Sequence, residues 1–170
     1  MNHIILAFGI LCTLSCEANT SSEVIDFGKD ILQTRYEAFA DKMNQCDKQA
    51  RNTNVSNETL VQLQKIPSEA ALALAVVNYK ALQQCALYEY SEALRTLVSL
   101  ENLDEFNPST DEALKINRIK ALLVADMNMY IEKEYAEISP ELKVKLEGMA
   151  ELKFPFNLSN TIEKAWPSSF

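Results

Sequence analysis

The stretch EAALALAVVNYKALQQCALYEYSEALRTLVSL, residues 69–100, decides the fold that we predict for this chain. It contains neither Gly nor Pro and is rich in Ala and Leu, which favour the α-helix. Apolar side chains recur at helical spacing on two stripes, the first at Leu72, Ala75, Val76, Tyr79, Leu82, Ala86, Ala93, Leu97 and Leu100, and the second at Leu74, Ala81, Cys85 and Tyr88. Because a helix that is apolar on two faces is buried on both, we predict that this one lies in the middle of a packed domain.

Capping signals on either side of this stretch predict the other helices. The clearest is the capping box of Ser109 and Glu112, and Pro140 after Ser139 is typical of a first helical position. Another capping box at residues 20–23 opens a helix with an expected apolar stripe of Val24, Phe27, Ile31, Phe39, Met43 and Cys46. The predicted helices lie at about 23–51, 60–66, 69–100, 109–138 and 140–152.

These elements predict one all-α domain over residues 19–170. No long linker or low-complexity run separates them, and a chain of 170 residues is about one domain long. We therefore predict an up-and-down bundle of four main helices with one short extra helix. The tail at 154–170 is rich in aromatic residues and prolines, and we expect it to pack across the bundle. An exposed aromatic patch for a partner is the alternative.

The first 18 residues predict an export signal. The apolar run Ile4–Leu14 has 11 residues, whereas a membrane-spanning helix needs about 20. The apolar part of a secretory signal has roughly 7–15 residues and is followed by small residues at the cleavage site. Cleavage after Ala18 would leave Cys16 and Ala18 at the two small-residue positions. We therefore expect a periplasmic or extracellular protein.

The segment Thr13-Leu14-Ser15-Cys16 resembles the lipobox of bacterial lipoproteins. In that family the cysteine is lipidated and becomes the new N-terminus, so the resemblance implies a signal that ends before Cys16 and a lipid anchor on Cys16. Cleavage before Cys16 and cleavage after Ala18 both stay open. A membrane association of this chain is expected only through that lipid.

The cysteines support export. Cys12 and Cys16 fall in or beside the predicted signal, and Cys46 and Cys85 remain as one even pair. An even pair is expected to form a disulfide bond in an oxidising compartment. Two buried free thiols are the alternative. We predict the disulfide Cys46–Cys85.

The sequence offers little catalytic chemistry. Its single histidine is His3, inside the predicted signal, so the processed chain would have no imidazole for Ser-His or Cys-His catalysis or for a zinc site. It also has no glycine-rich phosphate loop and no C-x-x-C-H haem motif. We therefore predict no cofactor, no metal and no enzymatic activity.

Carboxylates are the remaining candidates for chemistry. Two pairs share a helical face, Glu37 with Asp41 and Glu134 with Glu137, and solvated surface positions explain both. Asp126 lies among apolar residues, and we expect it to be partly buried against Arg118 or Arg95. An enzyme that uses carboxylates alone is a minor alternative.

Net charge and composition guide the functional prediction. The net charge of -8 disfavours a nucleic-acid binder and suits a basic protein partner. We predict an exported, non-catalytic protein that binds another protein, as an envelope adaptor, an inhibitor or an immunity-type protein. The alternative is a carrier of a small apolar ligand in the bundle core. Residues 87–94 resemble the turn of a tetratricopeptide repeat, but no second copy follows about 34 residues later.

Overall fold

The computed structural model describes residues 14–125 and 129–167, with side chains at 22–124 and 129–167. Every regular element in these ranges is helical, which confirms the all-α prediction. The predicted count of four main helices and one short helix is too low. The α-helices are α1 Leu14–Asn52, α2 Asn57–Leu63, α3 Ala71–Cys85, α4 Leu87–Glu101, α5 Thr110–Ala125, α6 Met129–Glu137, α7 Pro140–Glu147 and α8 Leu158–Ala165, with 3₁₀ turns at Ser68–Ala70 and Ala150–Lys153.

The stretch 69–100 is divided at Ala86 rather than forming one helix. The Ala86 N–H donates to the carbonyl of Gln83, three residues earlier, at 3.2 Å. This is the pattern of a 3₁₀ turn, whereas an α-helical bond joins residues four apart. The sequence has no proline or glycine here, the usual causes of a break. Ala86 is 1% exposed and follows Cys85, which is tied to α1 by the disulfide. Tertiary packing therefore sets this break.

α1 extends beyond its predicted start and buries only part of the apolar stripe that the sequence predicts. It already includes Leu14, the first residue that the structure describes, so it does not start in the capping box at residues 20–23. Val24 and Phe27 are 48% and 66% exposed, so their predicted burial is wrong. The buried stripe runs through Leu32, Phe39 and Cys46, seven residues apart, and Val24 and Phe27 project away from it on a helix with 3.6 residues per turn.

The α1 core is the hydrophobic cluster formed by α1, α4 and α5. Its buried residues are Leu32, Phe39, Cys46, Ala86, Ala93, Leu97, Leu100, Ile116, Ile119 and Leu123. α1 and α4 run antiparallel, as three contacts show: Gly28 beside Leu100, Arg35 with Glu92 at 3.0 Å, and Phe39 with Tyr90 at a ring separation of 5.5 Å. A Cβ on Gly28 would lie 3.0 Å from Leu100 Cδ1, so glycine permits this close approach.

The C-terminal core is the second cluster, formed by α2, α3, α7, α8 and the 3₁₀ turns. Its largest buried side chains include Phe156, Leu63, Leu74, Leu146 and Leu152. Trp166 Nε1 donates to the Ile66 carbonyl at 2.9 Å, and the Phe156 N–H donates to Asn78 Oδ1 at 3.3 Å. The described part of the tail therefore packs on the domain as predicted, although Phe154 is 63% exposed.

α6 is held at the periphery of the C-terminal core. It contributes no buried side chain to the described structure. Lys80 of α3 lies 3.5 Å from Glu132 and 3.5 Å from the centre of the Tyr135 ring. An ion pair and a cation–π contact on the surface each stabilise by only about 1 kcal/mol. α6 is therefore more weakly attached than the helices that fill the cores.

Among the described helices, no single one is long and apolar enough to cross a membrane. One bent pair, Asn57–Leu63 with Ser68–Cys85 at 114°, meets the criteria of length and composition. Leu63, Leu74 and Val77 of this pair are buried inside the protein, so its apolar character is that of core helices.

The predicted disulfide is present and links α1 to the end of α3. Cys46 and Cys85 are bonded with a Cα–Cα distance of 6.1 Å and a sequence separation of 39. The bond joins α1 to the last residue of α3, directly before the break at Ala86.

We expect loss of this bond to lower the free energy of unfolding by about 4 kcal/mol, because closing a loop of this length restricts the unfolded chain. The measurement is chemical denaturation of the double variant Cys46→Ala with Cys85→Ala against the oxidised chain. The wild-type chain under reductant is the control and should lose a similar amount. Equal stability of all three would contradict a structural role for the bond.

Candidate functional site

The acidic end is the region where the α4–α5 connection meets α1. Residues 101–112 carry five carboxylates, at Glu101, Asp104, Glu105, Asp111 and Glu112, and no Lys or Arg. Asp26 of α1 borders the same shallow depression as Glu105, with a volume of about 280 Å³. The fold thus brings a carboxylate of the first helix beside an acidic run about 80 residues later.

Two lysines neutralise part of the acidic end. Lys29 Nζ lies 2.7 Å from Glu112 Oε1 and 3.1 Å from Asp26 Oδ1, and Lys120 Nζ lies 2.8 Å from Glu101 Oε1. Within the described ranges, Asp104, Glu105 and Asp111 are exposed and have no ion-pair partner. These three carboxylates therefore leave the acidic end strongly negative.

Glu112 is held by three donor groups at the start of α5. The ammonium of Lys29 holds the pKa of Glu112 at about 2, below the ordinary 4.5, and the backbone N–H and hydroxyl of Ser109 also donate to this carboxylate and lower its pKa. The Ser109 N–H and Oγ lie 2.9 and 2.8 Å from Glu112 Oε2. This confirms the predicted link between Ser109 and Glu112 at the start of α5.

A groove between α1 and α5 is the second candidate site. It has a volume of about 640 Å³, and Leu32, Ile116 and Ile119 form its apolar floor. Its α1 wall carries Asp30, Gln33 and Tyr36, and its α5 wall carries Lys115, Arg118 and Leu122. The Lys29–Glu112 ion pair bridges the walls at one end, so the groove adjoins the acidic end.

The predicted carboxylate pairs do not form one site. Glu37 and Asp41 lie on α1, and Glu134 and Glu137 lie on α6. Glu37 accepts a hydrogen bond from Gln33 at 2.6 Å, and Glu137 pairs with Lys133 at 2.5 Å. Asp126 lies outside the described residues, and Arg95, one of its expected partners, lies 2.9 Å from Glu92. The described residues contain no cluster of His, Cys, Asp and Glu that could hold a metal.

The predicted lipidation site lies in α1, because the helix begins at Leu14 and includes Cys16. The side chain of Cys16 and the first 13 residues lie outside the described part of the chain. Lipidation of Cys16 and the export signal at 1–18 stay predictions.

Comparison with known proteins adds no relative. No protein-family model, curated protein or solved structure matches this chain. A function must therefore be argued from the acidic end and the groove. The sequence analysis predicted neither the acidic end nor the groove as a site. The acidic run at 101–112 is nevertheless visible in the sequence as a local excess of negative charge.

The Glu112 contacts predict a pH-dependent contribution to stability. A carboxylate whose folded pKa is lowered stabilises the fold above its unfolded pKa, and this contribution is lost as pH falls. For Glu112 the loss should occur between about pH 4.5 and about pH 2. The variant Glu112→Gln should be less stable than wild type at pH 7, and the difference should shrink through this window.

The measurement is the free energy of unfolding of both proteins at a series of pH values. The control Glu105→Gln removes an exposed carboxylate of the same region and should change stability little at pH 7. A constant difference between wild type and Glu112→Gln from pH 7 to pH 2 would show that the Lys29–Glu112 pair does not stabilise the fold.

Proposed function

We propose that this chain is an exported, non-catalytic protein that binds a basic protein partner through its acidic end. The observation that carries the proposal is the set of exposed carboxylates at residues 101–112, of which three have no ion pair within the described structure. Complementary charge raises the rate of association and selects partners of opposite sign. The proposal includes envelope adaptors, inhibitors and immunity-type proteins.

The acidic end suits protein recognition better than catalysis. Its carboxylates are exposed to water, whereas catalytic acids and bases usually have pKa values that their surroundings bring near the working pH. The pKa of Glu112 is lowered to about 2, which keeps this carboxylate ionised at neutral pH. A carboxylate-only enzyme is therefore the weaker proposal.

Export is part of the same proposal. The signal-like segment at 1–18 and the disulfide Cys46–Cys85 both fit an oxidising compartment. We propose a periplasmic or extracellular location, with lipid on Cys16 or cleavage after Ala18. For the processed chain we propose a single up-and-down bundle domain, since the antiparallel pairing of α1 and α4 fits that arrangement.

A second candidate function is a carrier of a small apolar ligand. The α1–α5 groove has a volume of about 640 Å³, within the roughly 300–1,000 Å³ of small-molecule sites. Its floor is apolar and its walls carry a few polar groups, as such sites do. The site of this candidate is an open groove rather than the bundle core. A co-purified ligand mass on the native protein would favour the carrier.

The export proposal predicts the mass of the processed chain. Protein recovered separately from membrane and soluble fractions of its own cells should lack either residues 1–15, with added acyl mass on Cys16, or residues 1–18. Reduction should add two hydrogen atoms, because the Cys46–Cys85 bond opens. Intact-mass spectrometry gives both results, and a chain that keeps Met1 with free thiols would refute export.

The partner proposal predicts a local effect of charge reversal. The variant Asp104→Lys with Glu105→Lys should reduce capture of the natural partner by roughly tenfold or more, because each reversed contact at an interface changes from attraction to repulsion. The measurement is crosslinking of the full chain in its own cells, followed by mass spectrometry. The captured protein should be basic.

The matched control is Glu141→Lys with Glu163→Lys. Both pairs are exposed, and each double reversal adds four charges, from -8 to -4, so the net charge of the two variants is equal. Control capture should stay near the wild-type level. Equal loss in both variants would point to net charge alone, and no loss in either would place the partner elsewhere.

A further inference from the structure

The α1–α5 groove is open to solvent above an apolar floor whose side chains are already buried. Leu32, Ile116 and Ile119 below it belong to the α1 core. At the rim, Leu122 is 45% exposed. An additional apolar surface laid on this groove would therefore extend a core that already exists.

The two walls of the groove carry opposite charges. Apart from Lys29 and Glu112, which pair with each other, the α1 wall has Asp30 and the α5 wall has Lys115 and Arg118. Glu37 follows Gln33 by one turn on α1, just outside the lining. Outside the Lys29–Glu112 pair, all four charged side chains are exposed, and none has an ion-pair partner among the described residues. An occupant that fits both walls must present cations to α1 and carboxylates to α5.

A second copy of this chain meets that requirement. α1 and α5 run in the same direction, because Lys29 pairs with Glu112 and the groove residues rise together in number on both helices. A two-fold axis parallel to the groove places the α1 wall of one copy against the α5 wall of the other, as an isologous interface requires. Each residue keeps its position along the groove.

The register of the walls matches under this rotation. Lys115 follows Glu112 by three residues, so it lies near the height of Leu32, which is three residues after Lys29. Arg118 follows Glu112 by six residues, so it lies near the height of Arg35, which is six residues after Lys29. The cations of one copy therefore fall between the heights of Asp30 and Glu37 of the other. Leu122 and Tyr36 would bring apolar surface from both copies.

We propose that the α1–α5 groove is the contact surface of a symmetric dimer of this chain. The groove lining itself is nearly neutral. It has three basic residues, Lys29, Lys115 and Arg118, against Asp30 and Glu112, a net charge of +1 on a chain of -8. The dimer goes beyond the proposed partner binding, which uses the carboxylates of the 104–111 region.

Sedimentation equilibrium of the full processed chain over about 1–100 μM tests the dimer, a range chosen because dimers of moderate affinity dissociate there. The mass should rise from that of one chain toward twice that value. Two variants reverse one wall each, Lys115→Glu with Arg118→Glu, and Asp30→Lys with Glu37→Lys. Each alone should raise the dimer dissociation constant by roughly tenfold or more.

Mixing the two variants is the decisive measurement. In a mixed dimer, each reversed wall faces the reversed wall of the other variant, so both sets of contacts are complementary again. The mixture should dimerise near the wild-type level. Circular dichroism and an intact Cys46–Cys85 bond check that each variant folds, and the partner-capture experiment with Asp104 and Glu105 is independent of these four positions.

Three results would overturn the dimer. The first is the mass of one chain at every concentration. The second is a dimer that neither wall variant weakens or that mixing does not restore, since its contact surface would then lie elsewhere. The third is a native mass of one chain plus a small molecule that Leu122→Arg displaces, which would assign the groove to an apolar ligand.

Discussion

Burial of the segment from α3 to α4 is the constraint on which both cores depend. α3 contributes Leu74 and Val77 to the C-terminal core, and α4 contributes Leu97 and Leu100 to the α1 core. Each fully buried leucine stabilises the fold by roughly 1.5–3 kcal/mol relative to an exposed one. The two helices meet at the buried Ala86, so one short segment contributes to both clusters.

Local chemistry explains which helix boundaries the sequence predicts well. The Ser109–Glu112 and Ser139–Pro140 signals involve residues close in sequence, and α5 and α7 begin where these signals place them. The break at Ala86 has no such local signal, because it follows from packing and from the bond of Cys85 to a residue 39 positions away. Apolar periodicity predicts the burial of Phe39 and Cys46 on α1, but it also includes the exposed Val24 and Phe27 and misses the buried Leu32.

The same contrast between local sequence signals and tertiary packing applies to the candidate sites. The disulfide was predicted by elimination, because only two cysteines lie outside the signal-like region. The acidic run at 101–112 is visible in the sequence, but its position beside Asp26 depends on the antiparallel pairing of α1 and α4. The groove has no sequence signature at all, since Leu32 and Ile116 become neighbours only when α5 packs on the α1 core.

The charge distribution lets one acidic chain use two kinds of contact. At physiological ionic strength the Debye length is about 8 Å, so exposed carboxylates repel another copy only when they lie near the interface. The unpaired carboxylates Asp104, Glu105 and Asp111 lie on the α4–α5 connection and its first turn, whereas the groove extends from Glu112 along α5 to Leu122. Glu112 stands at the boundary and is neutralised by Lys29. This ion pair therefore lies where the acidic end, which we propose binds a basic partner, adjoins the nearly neutral groove, which we propose binds a second copy.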